Sequence, residues 1–208
     1  MSTRLAAIVT LAACGSSTSA PPPVAPVPAQ PRVDPTALAA PAAFERIADR
    51  AERSRALFAE MGKVLLHPRC VNCHTPDEAP RQGDDHELHD PPVVRGSADR
   101  GVVGMQCQTC HQDHNLELAR VPGAPGWHLA PVAMVWLDRS PHEICEQIKD
   151  RTRNGDRSLA EIRDHMTKDR LVGWAWSPGW GRTPAPGTQA LLGELAAAWI
   201  DTGAECPP

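Results

Sequence analysis

Apolar residues recur at spacings of three and four in several stretches of the chain and alternate over no long stretch, which predicts a mostly α fold. Phe44, Ile47, Ala51, Phe58, Met61 and Leu65 form one stripe over about six turns of a core helix. Ser140, Pro141 and Glu143 supply an N-cap, a proline at the first helical position and an acid three residues after the cap, ahead of Ile144 and Ile148. Ser158 and Glu161 repeat the capping box ahead of Ile162 and Met166. A last helix runs from about Thr188 to Thr202, with Leu191, Leu192, Leu195, Trp199 and Ile200 inward and Gly203 as its stop. Between these stretches there is no period, so the helices are joined by long irregular loops.

Composition changes this picture first at the N-terminus. Arg4 precedes the apolar run Leu5 to Ala13, which is too short to span a bilayer but suits an export signal. Leu11, Ala12, Ala13 and Cys14 look like a bacterial lipobox, in which residues 1–13 are removed and Cys14 is acylated; a plain secretory signal cut nearby is the alternative. Two or more acyl chains give stable anchoring, so the expectation is an exported, lipid-anchored protein on the periplasmic side. Gly15 gives no reason for inner-membrane retention, which favours the outer membrane. Eight of the 22 prolines lie between Pro21 and Pro41. Residues 14–41 therefore read as the lipidated cysteine and a semi-rigid tether reaching up to about 80 Å. One folded domain, residues 42–208, follows. The formal net charge of -4 argues against nucleic acid as a general partner, because phosphate binding needs a basic face.

Aromatics are skewed, with six Trp, two Phe and no Tyr, so the core would be thin unless a cofactor filled part of it. The candidate chemistry lies in Cys70-Val-Asn-Cys73-His74 and Cys107-Gln-Thr-Cys110-His111. In Cys-x-x-Cys-His the two thiols add to the vinyl groups of haem and the adjoining imidazole reaches the iron. Each pair could alternatively be a redox dithiol, or the two together a four-thiolate zinc site. The histidines weigh for haem, since they are required there and idle in a zinc site. Export weighs the same way, because an oxidising compartment would close unprotected pairs into disulfides. The reading is two covalent c-type haems, attached at Cys70, Cys73, Cys107 and Cys110, with His74 and His111 as proximal ligands. Cys107 follows Cys70 by only 37 positions, too few for tandem single-haem modules, so both haems share one domain and lie close together. Of the remaining cysteines, Cys145 and Cys206 make a candidate disulfide closing a loop of about 60 residues, contributing roughly 4 kcal/mol; two buried thiols are the alternative.

The distal faces are ambiguous. His67, His86, His89, His114, His128 and His165 are candidates, as are Met105, Met134 and Met166. His67 could serve the other haem or simply end the helix before Pro68. His86 and His89 lie in an acidic loop containing Asp84, Asp85, Glu87 and Asp90, which could dock a basic partner or be merely solvated. His128 sits in a stiff loop between Pro125 and Pro131, beside Trp127. The reading favours bis-histidine ligation by His89 and His128, with His67 and His165 as alternatives; imidazole pairs give lower potentials than His/Met pairs. Arg95 could pair with a haem propionate or with the acidic loop. Trp127, Trp136, Trp174, Trp176 and Trp180 are expected to pack on the porphyrins.

Six segments, HPRCVNCH (67–74), QGDDHELHDPPVVRG (82–96), WHLAP (127–131), ICEQIKD (144–150), HMTKDRLVGWAW (165–176) and PAPGTQ (184–189), together resemble a family of bacterial c-type cytochromes commonly labelled isoquinoline 1-oxidoreductase subunit. The resemblance covers residues 62–207 and excludes the tether. It implies an electron-accepting cytochrome beside a molybdenum hydroxylase, and it carries over Cys70, Cys73, His74, Cys107, Cys110 and His111. His67, His89, His128 and His165 fall at matching histidine positions, while His86 stands where the family pattern has Met. The chain has no molybdopterin or iron–sulfur pattern and could not hydroxylate a heterocycle alone.

Two function classes follow. In the first, both irons are six-coordinate and the protein passes single electrons between redox partners. In the second, a small peroxidase-like enzyme, one haem keeps an open distal position. The surplus of distal candidates favours electron transfer. A haem-based sensor would need an output domain, and none is legible in the sequence.

Overall fold

The computed structural model describes residues 37–208; the expected signal, Cys14 and the tether up to residue 36 lie outside the described residues. The described chain is mostly helical, as its periodicity predicts. A 3-10 turn at Pro41–Phe44 leads to α1 (Arg50–Leu65) and a short α2 (Pro68–Val71). A loop region follows, carrying α3 (Cys107–Cys110) and a 3-10 turn at Glu117–Ala119. The chain then returns to α4 (Pro141–Lys149), α5 (Leu159–Lys168), α6 (Arg170–Gly173), a 3-10 turn at Trp174–Trp176 and α7 (Gln189–Asp201). No helix among the described residues is long and apolar enough to cross a membrane.

Local chemistry sets the helix ends. Ser140 and Ser158 each accept from the backbone N–H three residues on, and Glu143 and Glu161 reach back to complete both capping boxes. Thr188 caps α7, which ends where Gly203 takes φ +117°. The first helix is shorter than its apolar stripe suggests. Asp49 accepts from Glu52 N at 2.7 Å and starts α1 at Arg50, so Phe44 and Ile47 precede it. The folded part also reaches back before residue 42. Leu38 is buried, and Ala39 N donates to Glu60 Oε1 at 2.7 Å.

The core lies where α1 packs on α7 and α7 on α5, with α4 alongside. Leu57, Phe58, Met61, Val64 and Leu65 fill it from α1, and Leu192, Leu195, Ala196 and Trp199 from α7. Phe58 and Trp199 meet with ring centres 5.1 Å apart, tilted by 56°. Gly193 permits the close approach of α5, because a Cβ there would fall 2.3 Å from Thr167 Oγ1. Ser54 ties both ends of the domain together: its hydroxyl donates to Trp199 O and accepts from Glu205 N. The Cys145–Cys206 disulfide is present and links α4 to the C-terminal segment.

The loop region is ordered by two small antiparallel hairpins. One pairs β1 (Arg81–Gln82) with β2 (Glu87–Leu88), the other β3 (Gly101–Val102) with β4 (Met105–Gln106). Buried arginines fix them to the helical part. Arg69 donates to Gly83 O at 2.6 Å and pairs with Asp84, while Arg95 pairs with Asp99 and donates to Ala130 O at 2.7 Å. Asp77 pairs with Arg81. Three acids of this region are thus committed within the fold.

Candidate functional site

The two Cys-x-x-Cys-His segments fold alike. Each makes one short helical turn, closed by a bond from His74 N to Cys70 O at 3.2 Å and from His111 N to Cys107 O at 2.9 Å. Each proximal-candidate ring is held twice. His74 Nδ1 lies 2.9 Å from Met134 O, and the ring stacks on Trp136 with centres 3.5 Å apart. His111 Nδ1 lies 2.8 Å from Pro122 O, and the ring stacks on Trp127 at 4.5 Å. A carbonyl at Nδ1 selects the tautomer that leaves a lone pair on Nε2, the arrangement a metal ligand requires. Burial pushes the His74 ring down to about 3 and lowers that of His111. Both rings are therefore neutral near pH 7 and free to donate that lone pair.

The thiols are unbonded, in contrast to Cys145 and Cys206. Burial, reinforced by Cys73, pushes Cys70 up to about 12; burial, reinforced by Cys107, pushes Cys73 up to about 11. Among the described residues no three His, Cys, Asp or Glu side chains converge as metal ligands, so the two thiol pairs do not meet in one four-thiolate cluster.

Each segment opens on its own cavity. The larger, about 600 Å³, is lined by Cys107, Cys110 and His111, and also by His89, Val94 and Trp180. The smaller, about 320 Å³, is lined by Cys70, Cys73 and His74, and also by Ile162, His165 and Met166. Arg69, Cys73, Trp127, His128, Leu129 and Trp174 line both, so the cavities share a wall. Comparison of the chain with protein-family models, curated proteins and solved structures finds no match.

The remaining histidines sort by cavity. His89 faces His111 edge-on with ring centres 5.8 Å apart, and its Nδ1 lies 2.8 Å from Pro91 O. Two imidazoles on one metal ion, each nitrogen about 2 Å from it, would place their ring centres about 6 Å apart. His165 lies on the cavity of His74, its Nδ1 3.1 Å from Asp169 Oδ2. The hydrogen bond from His165 holds the Asp169 carboxyl down to about 2. His128 stands in the shared wall with Nδ1 against Gly126 O. His67 lines neither cavity. It caps α2, its Nδ1 accepting from Arg69 N at 3.2 Å, which leaves the ring proton on Nε2. His86 is held by Asn72.

The methionines separate too. Met134, whose carbonyl meets His74, and Met166 line the cavity of His74, whereas Met105 lines that of His111. Trp127, Trp136, Trp174 and Trp180 line the cavities, whereas Trp176 donates to Pro186 O and lines neither.

The linings suit a flat apolar ring system bearing carboxylates. Arg69 Nε, Arg81 Nε and Trp136 Nε1 are buried donors without a partner among the described residues, and all three belong to cavity-lining residues. Haem propionates are acceptors of the kind these donors lack. Arg95 Nε is a buried donor without a partner as well, but Arg95 belongs to neither lining, and its Nη1 serves Asp99 and Ala130 O.

Asn115 escapes sequence reasoning because nothing in its pattern marks it. Its Oδ1 accepts from Gly123 N and Trp174 Nε1, both at 3.0 Å, and its Nδ2 donates to Ser177 O. It thereby ties the loop that backs His111 to the wall of the cavities. Gly123 stands next to it, where a Cβ would fall 2.2 Å from His114 O.

Proposed function

We propose that the protein is an exported c-type cytochrome that carries two covalently bound haems in one mostly helical domain and transfers single electrons between redox proteins. The observation that carries this reading is the pairing at each cavity. Every Cys-x-x-Cys-His ring has its Nδ1 tied to a backbone carbonyl, and a second histidine with an engaged Nδ1 stands on the same cavity.

Cys70 and Cys73 would hold one haem with His74, and Cys107 and Cys110 the other with His111; the haem irons supply one-electron redox couples. Trp136 and Trp127 orient the two proximal rings. The unpartnered Arg69 and Arg81 donors would bind propionates. With haem in place, the apolar walls would exclude water from the rings. The wall of Trp127, His128 and Trp174 that the two cavities share would set the cofactors side by side, as electron relay between them requires. The resemblance to the isoquinoline oxidoreductase-labelled cytochromes supports a molybdenum hydroxylase as one redox partner. Acylation at Cys14 would keep the domain on the periplasmic face of a membrane, most readily the outer one.

The test is a pyridine haemochrome assay and an absorption spectrum, with and without carbon monoxide, on protein matured in a host that attaches c-type haem. Two haems per chain that ignore carbon monoxide are expected. Absence of covalent haem would overturn the reading, and carbon monoxide binding at one haem would replace the carrier by a peroxidase-like enzyme.

A further inference from the structure

Among the histidines on the two cavities, His165 differs in its hydrogen-bond partner. His74, His89, His111 and His128 each set Nδ1 against a backbone carbonyl, whereas His165 sets it against a carboxylate, Asp169 Oδ2 at 3.1 Å. That carboxylate is fixed by the helix it caps, and the residue's backbone carbonyl is held from α7. Asp169 Oδ1 caps α6 by accepting from Leu171 N at 2.8 Å and Val172 N at 3.4 Å, and Asp169 O accepts from Gln189 Nε2 on α7 at 2.8 Å. His165 and Asp169 are one turn apart, His165 in the last turn of α5 and Asp169 just beyond it, so the geometry is set by the backbone.

A carboxylate on the outer nitrogen of a ligating imidazole increases the ring's electron donation. Greater donation stabilises the ferric over the ferrous iron, which lowers the reduction potential. A carbonyl does the same more weakly. Burial acts in the opposite sense, since a low-dielectric pocket favours the form with less charge.

Resting on the two-haem reading above, we propose that His165 is the distal ligand of the haem held by Cys70, Cys73 and His74. In this proposal Asp169 is the positioning residue that lowers that haem's potential against the effect of its apolar cavity. His128, which the sequence favours for a distal role, is then a residue of the wall between the cofactors. The site holding His111 and His89 has only carbonyl partners and lacks this adjustment.

The experiment uses the full chain with both haems attached and follows each haem by spectroelectrochemistry. Asp169→Asn keeps an oxygen for the α6 cap but offers an amide to His165 Nδ1, the kind of mismatch that a carboxylate-to-amide change makes behind any such ring. The expected result is an upward shift in the midpoint of one haem and no shift in the other. His165→Ala should convert one haem to a carbon monoxide-binding form with covalent attachment kept, and His128→Ala should convert neither. The proposal is overturned if Asp169→Asn moves neither midpoint, or if His128→Ala rather than His165→Ala opens a haem. A haemochrome count of zero in the unsubstituted protein would instead remove the underlying reading, so the two failures are distinguishable.

Discussion

The two Cys-x-x-Cys-His segments share a five-residue frame and differ in nearly everything around it. Cys70–His74 follows directly on α1, its helical turn is capped by His67, and Arg69 and Val71 within that turn are buried. Cys107–His111 follows a two-residue strand, has no side-chain cap and buries no residue of its helix. Exposed large apolar residues cluster around the second segment, with Leu88, Val94, Val102, Val103, Met105, Leu116, Leu118 and Trp180 all at the surface. Yet both proximal rings find a carbonyl and a stacked tryptophan. The helical turn of each segment is thus closed within five residues, whereas the carbonyl and the tryptophan that hold each ring come from farther along the chain, Met134 and Trp136 for His74 and Pro122 and Trp127 for His111.

Removing the thiols should break the comparison most sharply. Cys70→Ala with Cys73→Ala empties a cavity walled by Leu65, Ile148, Ile162 and Leu192, core residues that cannot close on it. A loss on the order of 5 kcal/mol is expected, enough to abolish cooperative melting by circular dichroism. If the two-haem reading holds, Cys107→Ala with Cys110→Ala should remove the other haem while the helical transition survives, because loops form most of that cavity. Equal damage from both pairs would mean that the loop region is as much a part of the core as α1.

The disulfide sharpens the contrast next. Cys145→Ala with Cys206→Ala opens a 61-residue loop within the helical part and should lower stability by roughly 4 kcal/mol, read from the guanidinium midpoint, with both haem spectra unchanged. Asn115→Ala acts on the other side. It strands Gly123 N and Trp174 Nε1 and should cost about 1–3 kcal/mol. Amide exchange should rise over residues 111–123 and stay unchanged in α1 and α7.

The smallest effect is on acid stability. Asp169 is held at about 2 against 3.8 in the unfolded chain, so its folded form binds a proton less readily. Its contribution is complete above about pH 4 and is lost as the pH falls towards 2. Solvent screening leaves about 1 kcal/mol, which denaturation at pH 5 and pH 2.5 should show in the unsubstituted protein and not in Asp169→Asn.

Legibility in the sequence follows the range of the interactions. Ser140 with Glu143, Ser158 with Glu161 and Thr188 with Gly203 act within four residues or at a single helix end, and the observed helices match them. The start of α1 was misplaced because Phe44 and Ile47 fit an apolar stripe, while a single Asp49 hydrogen bond sets the boundary. Cys145 and Cys206 lie 61 positions apart, and no local signal pairs them. Arg69, Arg95 and Asn115 form bonds over 14 to 62 positions, and nothing beside them in the sequence indicates a partner. The same holds for His89 and His165: their type is visible, but the cavity each lines depends on hairpin and helix placement.

The packing of α1 against α7 has a consequence for the order of events during synthesis. The helix that completes the core is made more than 120 positions after its partner. Until α7 emerges, α1 and α5 have an unfilled face and the smaller cavity lacks the wall that Leu192 provides. Both Cys-x-x-Cys-His segments precede α7 in the chain, and until it docks the burial that raises the proton affinity of Cys70 and Cys73 is incomplete. The chain thus leaves an interval in which its cysteines are reachable, and that interval closes when α7 docks.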